Sequence, residues 1–129
     1  MKYTVLFFCI ALLWGCKMKQ SSSSQRHDCE HGVVEVERRA VGGVESEVSG
    51  AVFDFETKEP LSYARVIFYQ DEKLIAGAES DVDGKFQINK VALGKYTIKV
   101  EMMEYHTLEY DIKLEEGANV VLNFFLTDI

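Results

Sequence analysis

The chain has one proline in 129 residues, nine glycines and no apolar run near the ~20 residues that a bilayer-spanning helix needs. So little proline, with glycine scattered, excludes a collagen-like or low-complexity body. Positive charge is also scarce: 14 Lys and Arg face 21 Asp and Glu, for a formal charge of -7. Nucleic-acid binding, which needs clustered cations against phosphate, is therefore disfavoured. Cysteine is sparse as well, with three in all, at Cys9, Cys16 and Cys29. Their placement leaves no disulfide framework, because the first two belong to the N-terminal segment. Missing too are Gly-x-Ser-x-Gly, His-Glu-x-x-His and a Walker-type phosphate loop. No stretch after residue 15 carries a helical apolar stripe.

The N-terminal segment has a definite pattern. Met1-Lys2 is followed by an apolar stretch from Tyr3 to Trp14, then Gly15 and Cys16. The stretch is too short to span a bilayer but suits the h-region of a signal peptide. With a small residue directly before the cysteine, Leu13-Trp14-Gly15-Cys16 resembles a bacterial lipobox. The alternative is an ordinary secretory peptide that contains a cysteine. The resemblance implies that residues 1–15 are removed and that Cys16 is multiply acylated, which gives durable membrane attachment because more than one chain is needed for it. Loss of Lys2 takes the formal charge from -7 to -8. By analogy with other lipoproteins, Lys17-Met18-Lys19-Gln20 has neither an Asp for inner-membrane retention nor an acidic pair for surface export. The expectation is an outer-membrane anchor with the domain facing the periplasm, the cell surface being the alternative.

Residues 16–46 are expected to form a lipidated flexible tether. Lys17 to Gln25, centred on Ser21-Ser22-Ser23-Ser24, has too little hydrophobic surface to offset the entropy of ordering. Val34 and Val36 alternate with Glu35 and Glu37, which hints at one edge strand before Arg38-Arg39 and Gly42-Gly43 interrupt it. In an extended segment His27, Cys29 and His31 would point the same way, as metal ligands could. A structural zinc site wants four ligands, however, and no further Cys or His lies nearby, so a solvated linker with a spare thiol is the preferred reading.

From Val48 the period is two. Tyr96, Ile98, Val100 and Met102 alternate with Thr97, Lys99 and Glu101; Leu108, Tyr110, Ile112 and Leu114 alternate with Glu109, Asp111 and Lys113. Further strands are expected at 48–55, 64–70, 74–80, 85–89 and 120–126, separated by turn chemistry at Lys58-Glu59-Pro60, Asp71-Glu72-Lys73, Asp83-Gly84, Leu93-Gly94 and Glu116-Gly117. Asp83-Gly84 is the strongest hairpin signal. Seven such strands predict an all-β, seven-stranded antiparallel Greek-key sandwich over 47–129. Gly50 is expected where the first strand passes close to a neighbour, and the Tyr96 hydroxyl to need a partner beside its buried ring. Asp81, Asp83 and Asn89 lack the ligand order of a calcium loop and read instead as carboxylates capping turn amides.

Ser49-Gly50-Ala51-Val52-Phe53-Asp54, Glu59-Pro60-Leu61, Ala64-Arg65-Val66, Ser80-Asp81-Val82-Asp83-Gly84-Lys85-Phe86 and Val91-Ala92-Leu93-Gly94-Lys95-Tyr96 resemble, in that order, the carboxypeptidase regulatory-like domains. The resemblance covers about residues 47–126 and implies a prealbumin-like sandwich of the kind frequent in Bacteroidetes-type envelope proteins and at the N-terminus of TonB-dependent receptors. Glu104-Tyr105 departs from a frequent Gly-Tyr. Hydroxyisourate hydrolases of the same fold carry catalytic histidines and a C-terminal Tyr-Arg-Gly-Ser that Leu126-Thr127-Asp128-Ile129 does not match. The implied function is a lipid-anchored envelope module that binds or scaffolds without catalysis and without cofactor or metal, its partner an envelope protein or a carbohydrate. The alternatives are an accessory lipoprotein of a receptor-type nutrient uptake system and, last, a small hydrolase. Phe53, Phe55, Ile67, Tyr69 and Ile75 have the opposite parity to Val52, Val66, Phe68, Leu74 and Ala76, and form the candidate partner-binding patch; the alternatives are cover by residues 26–46 or by a sheet edge, or scattered surface apolars.

Overall fold

The computed structural model describes residues 22–129, so Cys16 and the signal segment lie outside the described residues. Nine strands build two sheets. They are β1 (Ser22–Cys29), β2 (Gly32–Ala40), β3 (Glu45–Asp54), β4 (Arg65–Gln70), β5 (Lys73–Glu79), β6 (Lys85–Ala92), β7 (Gly94–Glu101), β8 (Leu108–Leu114) and β9 (Ala118–Leu126). One sheet has the order β1-β2-β9-β3-β6 and the other β5-β4-β7-β8. All pairings are antiparallel except β3 with β9, which run parallel from Glu47↔Asn119 to Asp54↔Leu126. The alternating inner residues of both sheets meet in one core, with Phe68, Ile98, Leu108, Leu122, Phe124 and Leu126 fully buried. Tyr96 stays inside with its hydroxyl donating to the Ala92 carbonyl at 2.6 Å.

The seven expected strands are present, and two more precede them. Residues 22–40, expected as tether and mostly irregular chain with at most one edge strand at Val34 and Val36, form the two-stranded β1–β2 hairpin. Val34 and Val36 enter the core, and β2 adds to β9 over nine residue pairs. The polar β1 contributes few buried apolar groups; its backbone ladder to β2 supplies the hydrogen bonds that the entropy estimate left out. His27 packs against Tyr110 at 5.2 Å between centroids, and Arg38 donates to the Lys113 carbonyl at 2.9 Å, so the hairpin also bridges to β8.

Asp83-Gly84 makes a turn but not a hairpin. The chain passes there from β5 in one sheet to β6 in the other. Asp81 Oδ1 accepts from the amides of Asp83 and Lys85, both at 2.9 Å, which is the carboxylate cap expected of this loop. Gly84 takes φ 78°, and a Cβ there would lie 2.8 Å from Pro60 Cβ. The buried Ser80 hydroxyl ties the same corner, donating to the Leu61 carbonyl at 2.7 Å and accepting from the Ala64 amide at 2.8 Å. At the centre of the five-stranded sheet, Gly50 faces Leu122 across the parallel pair. A Cβ at Gly50 would sit 1.7 Å from the Leu122 carbonyl oxygen, closer than any real contact.

Two stability predictions follow from this packing. Gly50→Ala should cost about 3 kcal/mol or more, because backbone would have to move to admit the methyl group. Ile98→Ala or Ile112→Ala should cost about 2 to 5 kcal/mol through lost transfer energy and a residual cavity. Replacing Thr97 or Lys113 on the wet face should change stability by roughly 0.5 kcal/mol or less. Urea denaturation of the variants at these five positions measures the losses; a greater loss at Lys113 than at Ile112 would invert the register.

Candidate aromatic recess on the five-stranded sheet

The five residues of the expected patch do not form one surface. Phe53 and Phe55 lie on the outer face of the five-stranded sheet, whereas Tyr69 lies on the outer face of the other sheet, with Lys99 Nζ 5.2 Å from its ring centroid. Ile67, on β4, is only 5% exposed and therefore unavailable. Ile75 is exposed, but a bulge breaks its register: Tyr69 pairs with Leu74 and Phe68 with Ala76, which leaves Ile75 as the extra residue. That bulge also turns Leu74 outward, against its expected parity, and leaves it 63% exposed. Parity distinguishes a strand's two faces; it does not say which sheet owns the face.

The outer face of the five-stranded sheet carries the most developed candidate site. Cross-strand register puts Val33, Phe125 and Phe53 in one row over β2, β9 and β3. Phe53 and Phe125 stack with centroids 5.2 Å apart and planes at 22°. Phe55 extends the group, and Lys58 Nζ lies 4.5 Å from the Phe55 ring centroid and 5.1 Å from that of Phe125. The next row, one residue from each strand, is polar except at Ala51: Arg26, Glu35, Asn123, Ala51 and Lys85. A recess of about 470 Å³ opens between Arg26, Glu35, Lys58 and the three rings. A second, of about 700 Å³, shares Phe53 and runs towards Gln87 and Asn123. The expected alternative, cover by residues 26–46, is met in part: β2 supplies Val33 and Glu35 to this face, and Phe53 stays half-buried.

One loop positions the lysine. Asp54 Oδ1 accepts from the amides of Glu56 at 2.8 Å and Thr57 at 2.9 Å, while Oδ2 accepts from the Tyr105 hydroxyl at 2.7 Å. The Thr57 amide, followed by the Tyr105 hydroxyl, holds the Asp54 carboxyl below its ordinary range. The same carboxylate pushes the Tyr105 hydroxyl up to about 12. Lys58 sits at φ 65°, and its Nζ donates to the Phe55 carbonyl, which folds it back over the rings. Asp54 and Tyr105 carried no functional reading in the sequence. Asp-x-x-x-Lys at the end of an apolar strand is the signal that marks this turn.

The histidine segment divides instead of converging. β1 ends at Cys29 and the chain turns through Glu30 and His31, so the three residues no longer share a face. His27 meets Tyr110, and His31 stacks on His106 with centroids 4.3 Å apart and planes at 8°. Cys29 is half-buried, and burial, then Asp28, pushes its thiol up and away from the reactive thiolate. Among the described residues, no three His, Cys, Asp or Glu gather as metal ligands would.

The Asp54–Tyr105 pair makes stability depend on pH at both ends. The Asp54 value is lowered by folding, so its contribution is present above the unfolded value of ~3.9 and is lost as pH falls through the folded one. The Tyr105 value is raised, so its contribution is present below ~10 and is lost as pH rises through about 12. Tyr105→Phe should cost about 1 to 2 kcal/mol at neutral pH. It should also flatten the loss of stability expected of the parent between pH 10 and 12; equal alkaline slopes in urea denaturation would refute the role given to this bond.

Comparison with known proteins agrees with this architecture. The family model for the CarboxypepD_reg-like domain matches residues 48–128. No curated protein matches the chain. Among solved structures, catechol 1,2-dioxygenase from Pseudomonas arvilla C-1 superposes with a TM-score of 0.53 at 12% identity, over 67% of this chain and 53% of that one. A protein of Bacteroides uniformis ATCC 8492, whose proposed role is carbohydrate binding, gives 0.54 at 17% identity, over 65% and 42%. The dioxygenase domain of a dioxygenase and carbohydrate-binding protein fusion from Streptomyces sp. SirexAA-E gives 0.54 at 15% identity, over 67% and 82%. The chain thus spans about half the length of the first two, and at these identities the likeness is one of fold. With the matched region taking in seven of the nine strands, the chain belongs to the family of CarboxypepD_reg-like domains.

Proposed function

We propose that this protein is a lipid-anchored, non-catalytic binding module of the cell envelope, and that it binds carbohydrate on the outer face of its five-stranded sheet. The observation that carries the reading is the stacked Phe53–Phe125 pair beside a polar row. A sugar ring has an apolar C–H face and a rim of hydroxyls. Aromatic rings take the first, while Asn123, Gln87, Glu35 and Arg26 offer donors and acceptors to the second. Such a surface combines an apolar platform with few convergent polar groups, as ligand sites generally do. The likeness to a Bacteroides uniformis protein with a proposed carbohydrate-binding role supports the same class. An envelope location rests on the signal-like segment and Gly15-Cys16.

The ligand class is tested on an oligosaccharide array with the domain of residues 22–129, followed by titration calorimetry. Phe53→Ala should weaken the binding found by at least about tenfold while the protein remains folded, as truncation of a central aromatic does. Binding untouched by Phe53→Ala, or retention of an envelope protein and no glycan, would overturn it. For the anchor, Cys16→Ala should keep the precursor mass and leave the membrane fraction. A processed, still membrane-bound Cys16→Ala protein would remove the lipid reading.

A further inference from the structure

The start of β1 limits how the domain can stand on a membrane. Five residues, 17–21, separate Cys16 from Ser22, a reach of roughly 20 Å at most. Ser22 pairs with Arg39, and Ala40 with Ala118, so β1 begins at the end of the sheet where the β2–β3 loop and the β8–β9 connection lie. The opposite end, eight strand residues away, is a further ~25 Å off.

The near end has an apolar tip. Val41 is 59% exposed and Val44 75%, on either side of Gly42 and Gly43. The loop is tied at its base. The amides of Val41 and Gly42 both donate to the Gly117 carbonyl at 3.0 Å, and the Gly117 amide donates to the Gly43 carbonyl at 3.1 Å. Gly42 and Gly43 take φ 83° and 99° in open space, which leaves the two valines projecting from a fixed turn. Such a tip needs little further ordering when it enters an interface. The lipid chain would also hold it near the bilayer at high effective concentration. Glu45, Glu115 and Glu116 border the tip, so the matching surface is a zwitterionic one and the contact is shallow.

We propose that the 41–44 loop is the lipid-contacting surface of the domain, with Val41 and Val44 in the headgroup boundary and the Phe53–Phe125 recess at the end facing away. The proposal rests on the lipid reading at Cys16. It accounts for the position of the recess, which lies about six strand residues beyond Glu47 and so is open to a ligand arriving from the side opposite the membrane.

The test uses the processed full chain in a Cys29→Ser background, reconstituted into vesicles of phosphatidylcholine and phosphatidylethanolamine. An environment-sensitive fluorophore is placed at Val44→Cys in one sample and at Met103→Cys, 82% exposed in the parent, in another. Headgroup spin-labelled lipid should quench most of the emission at 44 and almost none at 103. Floating vesicles that carry protein with equal quenching at the two sites, stronger quenching at 103, or none at either would overturn the orientation and leave the anchor standing. Protein that does not float and shows no lipid mass on Cys16 would remove the anchor, and this inference with it. Val41→Ser, at an exposed position, should weaken quenching of the label at 44 while flotation persists; unchanged quenching would also count against the contact.

Discussion

The parallel pairing of β3 with β9 is the constraint on which the rest of the molecule depends. It is the only parallel contact among the described strands, and it joins the N-terminal hairpin side of the five-stranded sheet, β1-β2-β9, to the β3-β6 side. Gly50 makes it possible by leaving room for the Leu122 carbonyl, where a methyl group would overlap it. With β9 held there, Leu122, Phe124 and Leu126 point into the core while Val121, Asn123 and Phe125 line the outside. Core and recess are thus two faces of the same strand, set by one register.

Much of this was legible in the sequence because a half-wet strand has a period of two. The alternations at 96–102 and 108–114 and the turns between strands all correspond to observed elements. Gly50 and Tyr96 behave as their chemistry required. What escaped has specific causes. β2 carries two adjacent valines, Val33 outward beneath Phe125 and Val34 inward, which blurs the alternation. β1 is almost wholly polar and is ordered by the ladder it forms, a contact that no local window contains. A bulge at Ile75 reverses the face of Leu74 in mid-strand. Loop conformation was hidden in a similar way. Asp71 and Glu72 take φ 51° and 67° in the β4–β5 turn, and Glu104 takes φ 72°, a conformation that glycine adopts more readily.

The candidate site was half legible. Phe53 and Phe55 stood out as apolar residues on a face expected to be wet, and that face does bear the aromatic group. Phe125, brought by the parallel register, and Glu35 and Arg26, brought by the hairpin, come from afar in sequence, while Lys58 is local and is placed by the Asp54 turn that Tyr105 secures. Assembly of a surface from four separate segments is a property of topology. The hairpin that was expected to be a tether is therefore a wall of the recess, and it also brings the fold to within a few residues of Cys16.

The integration of that hairpin is the central claim, since the five-stranded sheet, the recess and the short distance to Cys16 all require it. Amide hydrogen exchange on residues 16–129 measures it directly, comparing amides of β2 with those of β9 and β7. Protection of the Val34 and Val36 amides comparable to that of Leu122 and Phe124 is the result predicted for strands that open only with the whole domain. Exchange of the 22–40 amides at the rate of unstructured chain, with β3 to β9 protected, would contradict the account.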